Sequence, residues 1–306
     1  TDAHSNTAIG YKTLEDITSG KGNTALGSYA GSSLTTGLSN VAIGAYDGTT
    51  TGAMRLSTDA DRCVAIGTGS LAAVATQDGT IAIGYKSLTA LTSGAGNVAI
   101  GYQAMDAEDD GSFNTAVGYQ ALTDQTGVSG TVANTAVGYL AGTEITTGIK
   151  NTIIGAYAGY QSLLPDNCTL VGYNAAGGGV MTAAADGTVA VGFSALAALT
   201  TGIGNVSVGY QCLDAEATGD YSTAVGHQAL SAQTGVDGSV GNTAIGFQSG
   251  MAITLGRFST AIGASALRTE DVGDRTVAIG FESLYSQNSD SNNETTGNTG
   301  IGYASG

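Results

Sequence analysis

One five-residue phrase, N-T-A-I-G with variations, recurs 17 times along the chain, and no other feature constrains the fold as tightly. Its glycines run from Gly10, Gly27 and Gly44 to Gly263, Gly280 and Gly302. Eleven of the 16 spacings between them are 17 residues; the others are 20 (three times), 22 and 23. A fixed period of this length is the mark of a solenoid, in which each unit buries its apolar face only by stacking on its neighbours. All departures from the period are insertions, which a stacked repeat accommodates in loops.

Counting back from each glycine, position −3 is always Thr, Val or Ile, as in Thr7, Val41 and Ile81, and −1 is always Ile, Val or Leu. Position −2 is Ala in 13 copies. β-Branched residues favour strands, and strand alternation puts −3 and −1 on one face. Each unit therefore predicts one short strand, with the −3/−1 face turned to the coil interior and the Ala face open to close approach by another backbone. Position −4 is Asn in ten copies, from Asn6 and Asn23 to Asn242 and Asn298, and stacked coils would align these amides in a ladder. Turn signals such as Ser19-Gly20-Lys21-Gly22 precede it.

After the glycine an aromatic residue usually follows at once, as in Tyr11, Tyr85, Phe193 and Phe247. Apolar residues then recur at a spacing of three, as in Tyr85-Leu88-Leu91, which predicts a short helical turn or a second short strand. The fold class read from these patterns is all-β, with short helical turns in some coils. The architecture is a β-solenoid or β-roll of about 17 stacked coils, spanning residues 1–306 as a single repetitive segment. Residues 84–142 also resemble 192–250 at a constant offset of 108, a block duplication of the kind that lengthens a fibre.

Charge narrows the partners. Lys plus Arg is 9 and Asp plus Glu is 25, a net charge of −16, which disfavours nucleic acid and anionic membrane surfaces. No run approaches the roughly 20 apolar residues of a membrane helix. The chain begins without Met and stops inside a repeat at Gly306, so the natural protein is expected to continue further.

Runs such as Asn6-Thr7-Ala8-Ile9-Gly10-Tyr11 and Asn242-Thr243-Ala244-Ile245-Gly246-Phe247 resemble the head repeats of trimeric autotransporter adhesins of the YadA-like type. They are also similar to N-T-A-I-G-Y repeats of bacteriophage tail fibres. The resemblance covers essentially the whole chain. It implies an elongated homotrimer of stacked β coils, extracellular on a virion tail fibre or cell surface, supporting or mediating attachment to a host surface glycan or receptor. Adhesin head coils are shorter than these, and the frequent aromatics after the glycine favour the phage-fibre branch. The alternative class is a glycan-degrading, tailspike-like solenoid or an ice-binding one. Ice binding needs an exposed Thr array, whereas Thr at −3 alternates with Val on the face read as interior.

No residue set predicts catalysis, and no cofactor or metal is expected. Cys63 and Cys168 both occupy the Asn-ladder position, with Cys212 elsewhere in its coil, and all three are read as unpaired structural thiols. Asp106, Glu108, Asp109 and Asp110 form one acidic cluster; Asp214, Glu216 and Asp220 form a second. These are read as solvated faces, with a cation site or a glycosidase pair as weaker options. His227 takes an aromatic slot and is read as a packing substitute; His4 lies near the terminus. Gly177-Gly178-Gly179 lacks a following Lys-Ser/Thr and is read as a flexible loop. Any target binding is expected in the inserted loops: 48–62 (with Arg55, Asp59, Asp61 and Arg62), 127–133, 174–187, 235–241 and 285–297 (with Asn288, Asp290, Asn292, Asn293 and Glu294).

Overall fold

The computed structural model describes residues 3–73, 78–126, 129–235, 237–289, 291 and 295–306. It is a parallel β-solenoid that divides into two compact units, residues 1–150 and 151–306. Asp290, Asn292, Asn293 and Glu294 of the last insertion lie outside the described residues.

In the first unit the strands Thr7–Ile9, Thr24–Leu26, Val41–Ile43, Val64–Ile66, Ile81–Ile83, Val98–Ile100, Thr115–Val117 and Thr135–Val137 stack in parallel, each paired with the next. The register is strict: Thr7 faces Thr24, Ala8 faces Ala25, and an insertion of several residues between Ile43 and Val64 leaves Ala42 opposite Ala65. The second unit repeats the arrangement from Thr152–Ile154 to Thr299–Ile301. Each repeat is thus one coil, and strand pairing runs from coil to coil, as the period predicts.

The face assignment is the reverse of the sequence expectation. Ala at −2 is the buried residue, from Ala25 to Ala136 in the first unit and from Ala190 to Ala278 in the second. Positions −3 and −1 look outward, with Ile9 at 61%, Ile154 at 40% and Ile245 at 40% exposure. The reason is volume. The coil interior also holds the residues at +3 and +4, such as Ala104 with Met105 and Ala195 with Leu196, all fully buried. A large side chain already enters from the turn, so only a methyl group fits opposite it. Where the strand offers Ile153 or Leu170 instead, the +4 position shrinks to Gly159 or Ala176. A Cβ on Gly159 would sit 3.0 Å from Leu170 Cδ1 and 3.6 Å from Ile153 Cδ1.

The stretch just after the glycine is neither helix nor strand, although a second short strand forms later in four coils, Gly111–Ser112 pairing with Gly130–Thr131 and Gly219–Asp220 with Gly238–Ser239. That stretch is a chain of turns in which the residues at +2 and +4 adopt left-handed backbone: Lys12 and Leu14 at φ 52° and 50°, Gln211 and Leu213 at 45° and 51°. Each such residue costs roughly 1–2 kcal/mol, offset where the +4 side chain is buried. The spacing of three arises because +4 and +7 both point inward, as Leu88 and Leu91 do. Among the described residues the only helical segment is a single 3-10 turn, Ala183–Ala185, capped by Thr182.

The ladder at −4 forms as expected. Asn23 Oδ1 accepts from Asn40 N (2.9 Å) and Asn40 Nδ2 (3.0 Å), while Asn23 Nδ2 donates to Gly37 O (2.8 Å). Cys63 and Cys168 keep the backbone half of this pattern, their N–H groups donating to Asn40 and Asn151 Oδ1 at 2.9 Å, and Cys168 Sγ also reaches Ala185 O of the next coil at 3.5 Å.

Candidate functional site

Three kinds of surface and one buried motif carry the chemistry. The first surface is the outward strand face. Its Thr, Val and Ile columns at −3 and −1 present β-branched side chains to solvent in both units. The Thr column is half exposed, which removes the burial argument against ice binding. It remains interrupted by Val41, Val64, Ile81 and Val98 in the first unit, so its hydroxyls form no continuous lattice.

The second surface is an aromatic column at the corner after each glycine. In the first unit Tyr85, Tyr102, Tyr119 and Tyr139 stack with centroids 5.4, 5.0 and 5.4 Å apart. In the second, Tyr173, Phe193, Tyr210, His227 and Phe247 form a stack with separations of 5.3, 5.1, 4.9 and 5.4 Å. His227 stacks between Tyr210 and Phe247, as its aromatic slot suggests. The ring spacing follows the strand spacing of about 4.8 Å. Each ring covers its neighbour's face, leaving mainly ring edges to solvent.

The third surface is a groove of about 550 Å³ on the second unit, lined by Gln211, Asp214, Gln228, Ser231 and Met251. Gln248 Nε2 donates to Gln228 Oε1 at 3.0 Å along its edge. Burial raises the Asp214 carboxyl above its ordinary pKa.

Two of the inserted loops, 48–62 and 174–187, are tied down more than the sequence suggests; in the others, residues 127–128, 236, 290 and 292–294 lie outside the described residues. In 48–62, Ala53, Met54, Ser57 and Ala60 are fully buried. Asp59 accepts from Thr36 Oγ1, Asp61 Oδ1 accepts from Leu38 N at 2.7 Å, and Arg62 pairs with Asp78 at 2.7 Å. Arg55 lies over the Tyr29 and Tyr46 rings at 4.9 and 5.5 Å. In 174–187, Met181 is buried. Gly177, Gly178 and Gly179 are not a flexible loop: a Cβ on Gly177 would meet Tyr157 O at 2.2 Å, and one on Gly179 would meet Leu199 O at 2.2 Å. They are small because neighbouring backbone passes against them.

The acidic clusters are only partly solvated, and their glutamates are the correction. Glu108 is 1% exposed and Glu216 0%, with Asp109 of the first cluster exposed. Glu108, Asp109 and Asp110 have carboxylate oxygens within 4.8 Å of one another. However, Glu108 Oε1 accepts from Gly111 N at 2.7 Å and Asp110 N at 3.2 Å, and its Oε2 accepts from Gln125 Nε2. Protein donors thus take up much of the acceptor capacity of Glu108, while Asp110 Oδ1 is buried without a hydrogen-bond partner. Burial is the largest effect on Glu108 and raises its pKa.

Glu216 and Glu270 repeat the design. Glu216 Oε1 accepts from Gly219 N and Glu270 Oε1 from Gly273 N, both at 2.7 Å. Gln233 Nε2 and Gln287 Nε2 donate to the respective Oε2 atoms at 2.6 and 2.8 Å. Glu270 belongs to neither acidic cluster singled out from the sequence. The signal was nonetheless present. Position +7 is apolar in Ile17, Leu34, Leu91, Ile145, Leu199 and Ile253, and becomes Glu then Gln in consecutive coils at 108/125, 216/233 and 270/287. Each pair immediately precedes an insertion.

All three cysteines are buried, and none forms a disulfide with a described residue. Burial pushes the Cys168 and Cys212 thiols up to about 11 and raises Cys63 as well. Such thiols are poor nucleophiles and poor metal ligands at neutral pH. No helix among the described residues is long and apolar enough to cross a membrane. The chain matches no protein-family model and no curated protein sequence.

Proposed function

We propose that this chain is a structural, non-catalytic segment of an extracellular attachment fibre, self-associating as a homotrimer on a virion tail or a cell surface. The observation that carries the reading is the outward strand face. A coil that keeps Ala inside and turns Val, Ile and Thr outward leaves its largest strand side chains uncovered, and further copies of the same chain supply a matching surface. Burial of such a face stabilises by about 25 cal/mol per Å² of apolar area. A net charge of −16 keeps the rest of the surface soluble and resists unspecific contact. The in-register repeats and the duplicated block suit a part whose job is length. The N-T-A-I-G-Y resemblance favours attachment as the setting.

Host contact, in this reading, uses the half-buried side chains that line the surface groove. The Gln211–Asp214–Gln228–Ser231 groove offers amides and a carboxylate beside Met251, a chemistry suited to a hydroxyl-rich glycan. Three copies of a weak site would add avidity.

Light scattering on the purified chain tests the assembly. The expected mass is three times 30.1 kDa. A triple variant, Ile154→Lys, Ile245→Lys and Ile279→Lys, is expected to fold and run as a monomer. A wild-type chain that is a stable folded monomer refutes self-association. Failure of the purified trimer to compete with virion or cell adsorption to the host would leave it a shaft without a binding role.

A further inference from the structure

Two of the three Glu–Gln pairs face a hydroxyl, one fully buried (Gln233) and one with a half-buried Gln287, and the third does not. In the second unit Gln233 Nε2 lies 2.9 Å from Ser222 Oγ and 2.6 Å from Glu216 Oε2, and Gln233 Oε1 accepts from Asn242 Nδ2 at 2.9 Å. Ser222, Gln233 and Glu216 are all 0% exposed. Further along, Gln287 Nε2 lies 3.0 Å from Thr276 Oγ1 and 2.8 Å from Glu270 Oε2, and Gln287 Oε1 accepts from Asn298 Nδ2 at 2.9 Å. Thr276 and Glu270 are also 0% exposed. The two sites place the same residue types at the same coil positions: Glu at +7, Ser or Thr at −4 of the next coil, Gln at its +7, and Asn at −4 of the coil after that.

We propose that these are self-modification sites, where Ser222 and Gln233, and Thr276 and Gln287, condense into intramolecular ester cross-links. The parts of an acyl transfer are present. The hydroxyl oxygen lies against an amide nitrogen that is one bond from the carbonyl carbon to be attacked, and rotation of the Gln amide brings that carbon to it. The Asn Nδ2 group donates to the carbonyl oxygen, where negative charge develops. The Glu carboxylate touches the nitrogen that must leave.

In the step, the hydroxyl oxygen forms a bond to Gln Cδ and the Cδ–Nε2 bond breaks. The hydroxyl proton passes to the departing nitrogen, which already lies against the hydroxyl oxygen and is held by the carboxylate, and ammonia is released. Nothing is oxidised or reduced and no co-reactant is needed. Escape of ammonia draws the reaction forward, and at the fully buried Ser222–Gln233 site exclusion of the water that would hydrolyse the ester keeps the product.

The first unit supplies a built-in comparison. Glu108, Gln125 and Asn134 reproduce the carboxylate, the amide and the donor, with Asn134 Nδ2 donating to Gln125 Oε1 at 2.9 Å. The hydroxyl position there is Asn114, so no ester can form. This inference is independent of the fibre reading and of any partner.

The test is the intact mass of the folded, purified chain, followed by peptide mapping. The expected result is a chain lighter than its sequence by two molecules of ammonia. Linked peptides should join the Ser222 segment to the Gln233 segment and the Thr276 segment to the Gln287 segment. Hydroxylamine should separate both pairs. Ser222→Ala and Thr276→Val are each expected to restore one ammonia, with the other link intact as the internal sign of a folded chain. A wild-type chain at full sequence mass after prolonged incubation overturns the proposal, and so does an ammonia loss that maps to other residues.

Discussion

Two glycines five residues apart on one coil should respond oppositely to the same added methyl. Gly192 closes its strand at φ +138°, and an ideal Cβ there would lie 2.2 Å from Gly209 O and 2.7 Å from Gly209 C, both backbone atoms of the next coil. Those atoms cannot yield without parting two coils. Left-handed or more extreme backbone costs a side chain about 1–3 kcal/mol, and forcing a methyl into filled space costs about 1–3 kcal/mol more. Gly192→Ala should therefore destabilise by about 2–6 kcal/mol. Gly187 has φ +71° and nothing within 4 Å of its Cβ position. The equivalent position in other coils is Ser5, Asn167 or Tyr221 at φ 58–60°. Gly187→Ala carries about 1 kcal/mol of left-handed strain, largely offset by roughly 0.4–1 kcal/mol from the less flexible unfolded chain. Thermal unfolding of both variants followed by circular dichroism checks the contrast. At about 2–4 °C per kcal/mol, Gly192→Ala should lose several degrees or more and Gly187→Ala about a degree or two. Equal losses would mean that the close approach between coils does not set the glycine requirement.

Three further outcomes follow from the buried groups. Burial raises the Glu108 pKa, so its folded form holds a proton more tightly than the unfolded chain, and its contribution to stability is present below the ordinary carboxylate pKa and lost as pH rises through the raised value. Glu108→Gln should flatten that slope in pH-dependent unfolding; an unchanged slope refutes the assignment. At Glu270 burial raises the pKa, but in the chain with its Gln287 amide intact hydrogen bonds from Gln287, Gly273 and Ser289 outweigh it and hold the value low. Its contribution is therefore present above the ordinary pKa and lost as pH falls, and Glu270→Gln should remove that acid-side loss. For the thiols, Cys168 and Cys212 at about 11 should resist an aqueous thiol reagent at neutral pH in the native chain and react fully in denaturant. Rapid native labelling at either would contradict their burial.

The strand of every repeat, its parallel register and the Asn ladder were legible because each depends on spacing alone. The direction of the strand was not. Val and Ile are the more apolar members of the strand, and hydrophobicity alone sends them inward; only the competing volume of Leu14, Met105 or Leu196 across a thin coil sends them out. Where the strand does carry Ile153 and Leu170 inward, +4 is Gly159 and Ala176, but Gly also stands at +4 beside Ala25, Ala136 and Ala244, so the sequence alone gives no reciprocal pattern. The turns were misread as helical because a spacing of three is common to a helical turn and to this alternation of left-handed residues. The buried carboxylates escaped notice because Glu usually means solvent, and each satisfies its oxygens with backbone N–H groups two and three residues ahead that spacing does not announce.

Strand pairing that runs only from one coil to the next gives each unit an uncommon response to tension. Pulled along the stacking direction, the hydrogen bonds between Thr7–Ile9 and Thr24–Leu26 and their successors carry the load in series, so coils at a free end release one after another. A released coil of 17 residues spans up to roughly 56 Å in place of the ~4.8 Å it occupied when stacked, about a twelvefold extension. A few detached coils would thus absorb a large displacement while the rest of the unit stays folded. Restacking needs only the next strand to find a register already displayed by its neighbour.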